Sequence, residues 1–348
     1  MSRAPRPRRS PGRRRPGVGS RRRTAATVLA MLGCALVLPV TLARAAGGDQ
    51  RAPAPLLAAA APFAVLALAV ALGLALAGSR RRLAAVPAVL LAVHLAWLAP
   101  SLSRDGDPPP ADAPTLTVMT SNAFLGALDA AALVREVREH RVDVLSVQEI
   151  TPELVTRLRT AGLEQQLPHS VLAPKAGASG SALWSRFPAQ ELVPVPSKGF
   201  AMPRAALTLT GGGVVHVTAV HPFPPMNDAG IAQWREDMAA LRRVVAADGT
   251  TPQILAGDFN ATQDHGPMQA LLGVGPAYLS DAADAVGASA WPGMTWPSGR
   301  RYPPLMRLDH VLVSAGFAVR DVAVVDLSGT DHRAVVARVS PLSGTISR

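Results

Sequence analysis

The chain has 348 residues, long enough for two or three domains, and its charge is unevenly distributed. Residues 1–100 carry 15 arginines, no lysine and one acidic residue, a formal charge of +14, whereas the rest carries 20 basic and 23 acidic side chains, a formal charge of −3. The larger part is mildly acidic, which argues against a dedicated DNA-binding domain, because such a domain needs clustered cations. The one cysteine of the chain, Cys34, lies in the first hundred residues, which excludes a zinc–thiolate site in the larger part.

The first hundred residues are typical of a membrane anchor. Residues 1–23 contain ten arginines with Pro, Gly and Ser, and they are predicted to form a disordered cytoplasmic tail. Three apolar runs follow at residues 24–43, 56–78 and 83–100, each close to the roughly 20 residues that cross a bilayer as a helix. We therefore predict a membrane domain with three transmembrane helices over residues 24–100.

The loops between these runs predict the orientation. Three consecutive arginines, residues 80–82, lie between the second and third runs, whereas the first loop has two arginines beside Asp49. The positive-inside rule then places the tail and the second loop in the cytoplasm, and residue 101 onward outside, in a multi-pass cell-membrane protein. A cleaved signal peptide ending near residues 43–45 is the alternative, and it leaves residue 101 outside as well.

The larger part alternates strands with helices. Residues 101–114, with three consecutive prolines, are predicted to be a stiff linker, residues 115–340 a folded domain, and residues 341–348 a tail. Strands are predicted at residues 116–121, 142–147, 181–184, 205–209, 214–220, 253–256, 308–313, 318–325 and 334–339, and helices at 129–140, 152–161 and 231–247. Strands outnumber helices and many are neighbours in sequence, which favours two packed sheets covered by helices over a doubly wound parallel sheet.

Polar side chains recur where these strands begin or end. They are Asn122, Glu149, His221, Asp258, Asn260, Asp309, Asp331 and His332. Taken singly, each has a structural alternative: Glu149 precedes a predicted helix that it can cap, and residues 257–260 can form a simple tight turn. Because so many such positions occur at strand ends, we interpret them as one functional site.

The motifs that carry these residues resemble a known family. In chain order they are VMTSN at 118–122, VQE at 147–149, GSALWSR at 180–186, AVHP at 219–222, GDFNA at 257–261, RLDHVLVS at 307–314 and TDHR at 330–333. Together they make residues 115–340 similar to the endonuclease/exonuclease/phosphatase superfamily of metal-dependent phosphoesterases. The resemblance implies an α/β fold, a four-layered α/β sandwich with its site at one edge of the two sheets.

The resemblance also implies a metal site. Hydrolysis of a phosphate ester needs a hard cation, and Mg²⁺ prefers carboxylates, amide oxygens and water. Glu149 is the principal predicted ligand, with Asn122 and Asp331, and Mn²⁺ is the alternative ion. Some relatives have a second acidic residue shortly after the first Asn, whereas residues 123–125 here are Ala-Phe-Leu, which favours a single ion.

The remaining polar residues receive catalytic roles from the same resemblance. Asp258 would orient or deprotonate the attacking water, and the Asn260 amide would hydrogen-bond the phosphate. Asp309 would fix the imidazole of His332 for acid–base catalysis, and His221 would contact the phosphate or protonate the leaving group. The list is completed by Arg204, which would add positive charge, and by His310, which is expected to be structural.

The membrane anchor bears on the substrate. A short linker at the outer membrane surface and a mildly acidic domain favour a phosphorylated lipid over duplex DNA. The aromatic and cationic loop at residues 292–304, which follows Trp291, is predicted either to meet lipid headgroups or to be a packed Pro-rich loop. The whole arrangement looks similar to membrane-anchored teicoplanin-resistance proteins of the VanJ type, which implies a lipid-linked phosphate or pyrophosphate of cell-wall synthesis. The alternatives are an extracytoplasmic nuclease and a catalytically silent membrane-binding module, and the oligomeric state is undetermined by the sequence.

Overall fold

The computed structural model describes residues 18–78, 81–102, 109–110, 112–273, 278–290 and 293–342. The helices are α1 (Val18–Ala45), α2 (Ala54–Ala59), α3 (Ala61–Ala77), α4 (Arg81–Leu98), α5 (Ala130–Glu139), α6 (Pro152–Thr160), α7 (Leu163–Gln166), α8 (Asp228–Ala247), α9 (Gly266–Leu272) and α10 (Ala282–Ala285). The strands are β1 (Leu116–Asn122), β2 (Val144–Gln148), β3 (His169–Ala173), β4 (Ser181–Ser185), β5 (Ala189–Leu192), β6 (Arg204–Thr208), β7 (Val214–Val220), β8 (Gln253–Asp258), β9 (Ser280–Asp281), β10 (Asp309–Val313), β11 (Phe317–Asp326) and β12 (Arg333–Pro341).

The N-terminal helices pack side by side through a small apolar seam. Cys34 and Val37 of α1 are buried against Leu68 and Ala71 of α3. Two helical segments are long and apolar enough to cross a membrane, Arg21–Ala45 and Arg82–Leu102, and α3 is a shorter apolar helix. The structure thus provides two candidate spans and one short helix where the sequence predicts three spans.

Two boundaries in this region differ from the sequence prediction. The predicted run at residues 56–78 is two helices, α2 and α3, which meet at Ala60. Pro62 lies in the first turn of α3, where a missing backbone N–H costs nothing, so it marks the start of a new helix. Helix α1 begins at Val18, so residues 18–23 of the predicted tail are helical, while residues 1–17 lie outside the described residues.

Two six-stranded mixed sheets form the larger domain, as the alternating pattern predicts. Their strand orders are β11-β12-β1-β2-β4-β3 and β5-β6-β7-β8-β10-β9. The inner faces of both sheets share one apolar core, in which Val118 and Val335 of the first sheet lie with Val217 and Val311 of the second. Helices α5 and α6 cover the outer face of the first sheet, and α8 and α9 cover that of the second.

Local sequence signals explain why the covering helices begin where they do. The Asp129 carboxylate accepts from the first backbone N–H groups of α5, and Thr151 caps α6 directly before its proline. Strand β7 coincides with its predicted range. Strands β3 and β5 escape prediction because both are short and half-exposed, with no sustained apolar alternation.

Candidate active site

The sheet registers bring the polar strand ends to one edge of the domain. Strands β1 and β2 are parallel, with Asn122 beside Gln148, so Glu149 follows at the same edge. In the second sheet β7 and β8 are parallel, and Asp258 at the end of β8 lies beside Asp309 at the start of antiparallel β10. Because the carboxyl ends of these strands and the amino ends of β10 and β12 coincide, a single site forms across both sheets.

A buried Asp–His pair lies at the centre of this edge. The Asp309 carboxylate is 2.8 Å from Nδ1 of His332, and both side chains are at least nine-tenths buried. The Thr295 hydroxyl accepts from the backbone N–H groups of Leu308 and Asp309, which fixes the start of β10. The structure therefore contains the predicted contact between Asp309 and His332, and Nε2 of His332 faces the cavity.

Asp258 sits between two imidazoles. Its carboxylate lies 3.8 Å from Nε2 of His332 and 3.9 Å from Nε2 of His221, too far for hydrogen bonds. A water or a phosphate oxygen beside each pair, and not between its atoms, can hydrogen-bond both members. The ring of His221 is held edge-on by Phe200, with their centroids 4.8 Å apart, and its buried Nδ1 has no hydrogen-bond partner among the described residues.

Burial and neighbouring charges give these groups different pKa values. Burial would lower the pKa of His332, but the carboxylates of Asp309 and Asp258 outweigh it and raise that pKa to about 10. Burial, assisted by the nearby His332 charge, lowers the pKa of His221 to about 3. Burial raises the pKa of Asp258 to about 7, although His332 opposes the rise. At neutral pH, His332 is therefore charged and His221 is neutral.

Glu149 reaches the same group of side chains from the first sheet. The Asn122 amide nitrogen donates to Glu149 at 3.1 Å and to Asp258 at 3.0 Å, so it joins carboxylates from both sheets. The backbone N–H of Leu125 donates to the second Glu149 oxygen at 2.7 Å. Thr151, and not Glu149, caps helix α6, so the capping alternative for Glu149 does not describe its contacts.

Asn260 and Asp331 complete the edge. The backbone N–H of Asn260 donates to Asp258, and its side-chain amide donates to the Pro222 carbonyl oxygen at 3.1 Å. The indole N–H of Trp296 donates to Asp331 at 3.2 Å, and the other carboxylate oxygen of Asp331 lies 3.9 Å from Nε2 of His332. Trp296, whose loop is predicted from the sequence either to meet lipid headgroups or to be packed, therefore contacts the site, whereas Trp291 and Pro292 lie outside the described residues.

Two further predicted residues lie elsewhere. The Arg204 guanidinium is buried in an ion pair with Asp248, the residue directly after α8, and donates to the Val193 carbonyl oxygen. It is therefore committed to a structural pair, and it does not line the cavity at the strand ends. His310 has its ring between Asp281 and the Ala261 carbonyl oxygen in the interior, in agreement with the structural role expected for it.

A cavity of about 470 Å³ opens directly over the polar groups. The polar residues in its lining include Glu149, His221, Asp258, Asn260, Asp331 and His332. The apolar residues in its lining include Phe124, Leu125, Phe200, Pro225 and Met226, together with Pro55, Leu56 and Ala59 from the N-terminal region. Among the described residues that line this cavity, none is Lys or Arg.

The donor set fits a divalent cation. Asp258, Asp309 and Asp331 lie within 4 Å of the His332 imidazole, and Glu149 and Asp331 line the same cavity; a hard cation prefers such oxygen ligands. Asp258, Asp309 and His332 also offer ligand atoms within 4.8 Å of one another, so this buried cluster can hold a metal. His332, however, already shares a proton with Asp309 through Nδ1, and a charged imidazole is not a ligand. Glu149 and Asp331 therefore remain the better-suited oxygen donors.

Sequence reasoning missed the supporting residues. Thr295 and Phe200 lie in long connections without a strand-end position, and their contacts to Asp309 and His221 come from the fold alone. The signal in the sequence that points to Thr295 and Trp296 is the length of the loop that contains them, because long loops usually carry function.

Comparison with known proteins identifies the same family. The model of the Endonuclease/Exonuclease/phosphatase family matches residues 119–332. A Bacteroides vulgatus endonuclease/exonuclease/phosphatase structure is 13% identical, covering 66% of this chain and 100% of that one with a TM-score of 0.53. Truncated Caenorhabditis elegans TDP2 is 16% identical, covering 65% and 97% with a TM-score of 0.51. D. rerio TDP2 complexed with single strand DNA product is also 16% identical, covering 65% and 99% with a TM-score of 0.51. These structures share the fold, and no curated protein sequence matches the chain.

Proposed function

Because the chain belongs to the endonuclease/exonuclease/phosphatase family, we propose that it is a metal-dependent hydrolase of phosphate esters, acting on a lipid-linked phosphate or pyrophosphate at the outer face of the cell membrane. Members of this family are typically metal-dependent hydrolases of phosphodiesters and phosphate esters. The observation that carries the proposal is the convergence of Glu149, Asp258 and the Asp309–His332 pair on one cavity.

The side chains divide the reaction between them. When bound to Glu149, Asn122 and Asp331, Mg²⁺, or Mn²⁺ in its place, would neutralise the phosphoryl oxygens. Asp258 orients the attacking water, because its carboxylate lies beside both imidazoles without a hydrogen bond to either.

Three side chains then act on the phosphate and the leaving group. His332, oriented by Asp309, donates to the phosphate or the leaving oxygen, and Asn260 supplies an amide N–H to the phosphate. His221 is neutral, so it contacts the phosphate and leaves protonation of the leaving group to His332.

A membrane lipid as the carrier of the phosphate is supported by two features. Two helical segments, Arg21–Ala45 and Arg82–Leu102, are apolar enough to span a bilayer. Helix α3 would be the third span of a multi-pass protein whose catalytic domain faces the outside of the cell. The cavity over the site has a largely apolar lining, which suits the chain of a lipid better than a second charged group. A lipid intermediate of cell-wall synthesis, and with it resistance to teicoplanin, follows from the resemblance to VanJ-type proteins.

A nuclease is the second candidate, because a structural neighbour is complexed with single strand DNA product. The absence of Lys and Arg among the described lining residues argues against it, since a phosphate backbone is held by clustered cations. A catalytically silent membrane-binding module is the third candidate, and it does not account for the converging carboxylates.

Hydrolysis by the purified, detergent-solubilised full chain tests the three candidates together. The substrates are phosphatidic acid, farnesyl pyrophosphate, sphingomyelin and single-stranded DNA, each with Mg²⁺ and with EDTA. We expect Mg²⁺-dependent phosphate release from a lipid phosphate or pyrophosphate, and its loss in Glu149→Gln. Cleavage of DNA alone would establish the nuclease, and no hydrolysis of any substrate would establish the silent module.

A further inference from the structure

Helix α2 and the loop before it lie against the catalytic cavity although they belong to the N-terminal region. Ala52, Pro53, Pro55, Leu56 and Ala59 line the same cavity as Asp258 and His332. This segment connects α1 to α3 and therefore sits at the ends of two apolar helices. The wall of the site is thus continuous with the part of the chain that enters the bilayer.

The residues that precede α2 are fixed to the catalytic domain by polar contacts. The Arg44 guanidinium pairs with Asp264 at 2.7 Å, with both side chains largely buried. The backbone N–H of Gly266 donates to the Gly47 carbonyl oxygen, and that of Ala52 donates to the Asp228 carboxylate. These contacts place α2 on the cavity by specific pairing.

His265 provides the most buried of these contacts. The backbone N–H of Thr262 donates to its Nδ1 at 2.9 Å, so the ring proton is on Nε2, which donates to the Pro55 carbonyl oxygen at 2.9 Å. The Trp234 ring packs edge-on against the imidazole. Because Thr262 lies just after the segment with Asp258 and Asn260, the same short stretch of chain positions both the catalytic carboxylate and α2.

The exposed part of this wall is apolar. Leu56 is 60% exposed and Met226 is 80% exposed, and Phe124 and Leu125 are also exposed beside the cavity. Large apolar side chains grouped around a polar site mark a surface that meets an apolar partner. The cavity lining thus combines carboxylates, which suit a metal-bound phosphate, with a larger number of apolar residues, and this combination suits an amphiphile.

We propose that residues 52–59, with Leu125 and Met226, form a hydrocarbon-binding wall of the active site, and that this wall selects phosphate substrates that carry a long apolar chain. The inference rests on the proposed function and adds the determinant of its substrate class. The lipid chain lies along α2 toward the bilayer, while its phosphate lies between Glu149 and His332. The N-terminal region is therefore part of the substrate site as well as an anchor.

Matched pairs of substrates test this inference in the full chain in detergent with Mg²⁺. Dioleoyl and dibutyryl phosphatidic acid share a headgroup, as do farnesyl and dimethylallyl pyrophosphate, and each pair differs in chain length. The readout is the ratio of kcat/KM for the long substrate to that for the short one. We expect the wild-type protein to prefer the long substrate, and Leu56→Asn and Met226→Asn each to lower the ratio about tenfold, the effect of removing one large apolar contact.

Val193→Asn is the matched control, because Val193 is also 80% exposed but does not line the cavity. It is expected to leave the ratio unchanged. Equal hydrolysis of long and short substrates by the wild-type protein, or an unchanged ratio in both wall variants, would overturn the hydrocarbon wall and leave the proposed hydrolase intact. Failure to hydrolyse any of the four substrates would instead refute the proposed function, and this inference with it.

Discussion

Replacement of Asp309 by Asn is the sharpest test of the proposed acid–base pair. The substitution keeps the shape of the side chain and an oxygen that can accept from Nδ1 of His332 at the 2.8 Å now observed, but it removes the negative charge. Hydrogen bonds to charged groups contribute about 1.5–3 kcal/mol, and each ~1.4 kcal/mol is tenfold in rate. If this stabilisation acts in the transition state, kcat falls roughly 10- to 100-fold with little change in KM.

The chain contains a matched control for this variant. Asp281 is a second fully buried aspartate, and it pairs with Nδ1 of His310 on the same strand β10, outside the cavity. Asp281→Asn should lower the thermal unfolding temperature but leave kcat of the folded protein close to the wild-type value.

Steady-state phosphate release at saturating Mg²⁺, with circular dichroism of each variant, separates the two effects. The reasoning is refuted if Asp309→Asn retains full kcat, or if both variants lose activity only in proportion to their unfolded fraction.

Three further outcomes are expected. Trp296→Phe removes the donor to Asp331, so the Mg²⁺ concentration for half-maximal activity should rise about tenfold in a metal titration, and an unchanged titration curve would argue against Asp331 as a ligand. Gly257→Ala would place a Cβ 1.9 Å from the Val220 carbonyl oxygen and should destabilise the domain by about 1–3 kcal/mol in thermal unfolding, whereas Gly73→Ala, with no atom within 4 Å, should not. Burial would raise the pKa of Asp281, but His310 outweighs it and lowers that pKa to about 2, below the unfolded value near 3.9. Asp281 therefore contributes about 2 kcal/mol above pH 4 that is lost as the pH falls toward 2, and the Asp281→Asn variant should show a shallower loss of unfolding temperature over that window than the wild type.

The polar residues of the site illustrate what local sequence can establish. Asn122, Glu149, Asp258 and His332 each follow or precede an apolar strand, and the ends of neighbouring strands meet at one edge, so their convergence is predictable from chain order. The Asp309–His332 pair was assigned from the family resemblance, and the structure places the two side chains in hydrogen-bond contact. Their roles in catalysis remain proposals that the variants above test.

Arg204 shows where this reasoning stops. An arginine near predicted site residues has no local signal that distinguishes a substrate contact from an ion pair, and only the packing of α8 brings Asp248 to it. The apolar run at residues 56–78 is a second example. Hydropathy alone does not predict the break at Ala60 that separates α2 from α3.

The sequence by itself determined the division into an apolar, arginine-rich N-terminal region and a two-sheet domain, together with most of the polar residues of the site. Periodicity, charge and motif spacing are local properties, and they survive in the unfolded chain. Only the tertiary structure decided that α2 forms a wall of the catalytic cavity, that Trp296 contacts Asp331, and that Arg204 is committed to Asp248. These contacts join residues far apart in the chain, and their existence depends on the packing of whole elements.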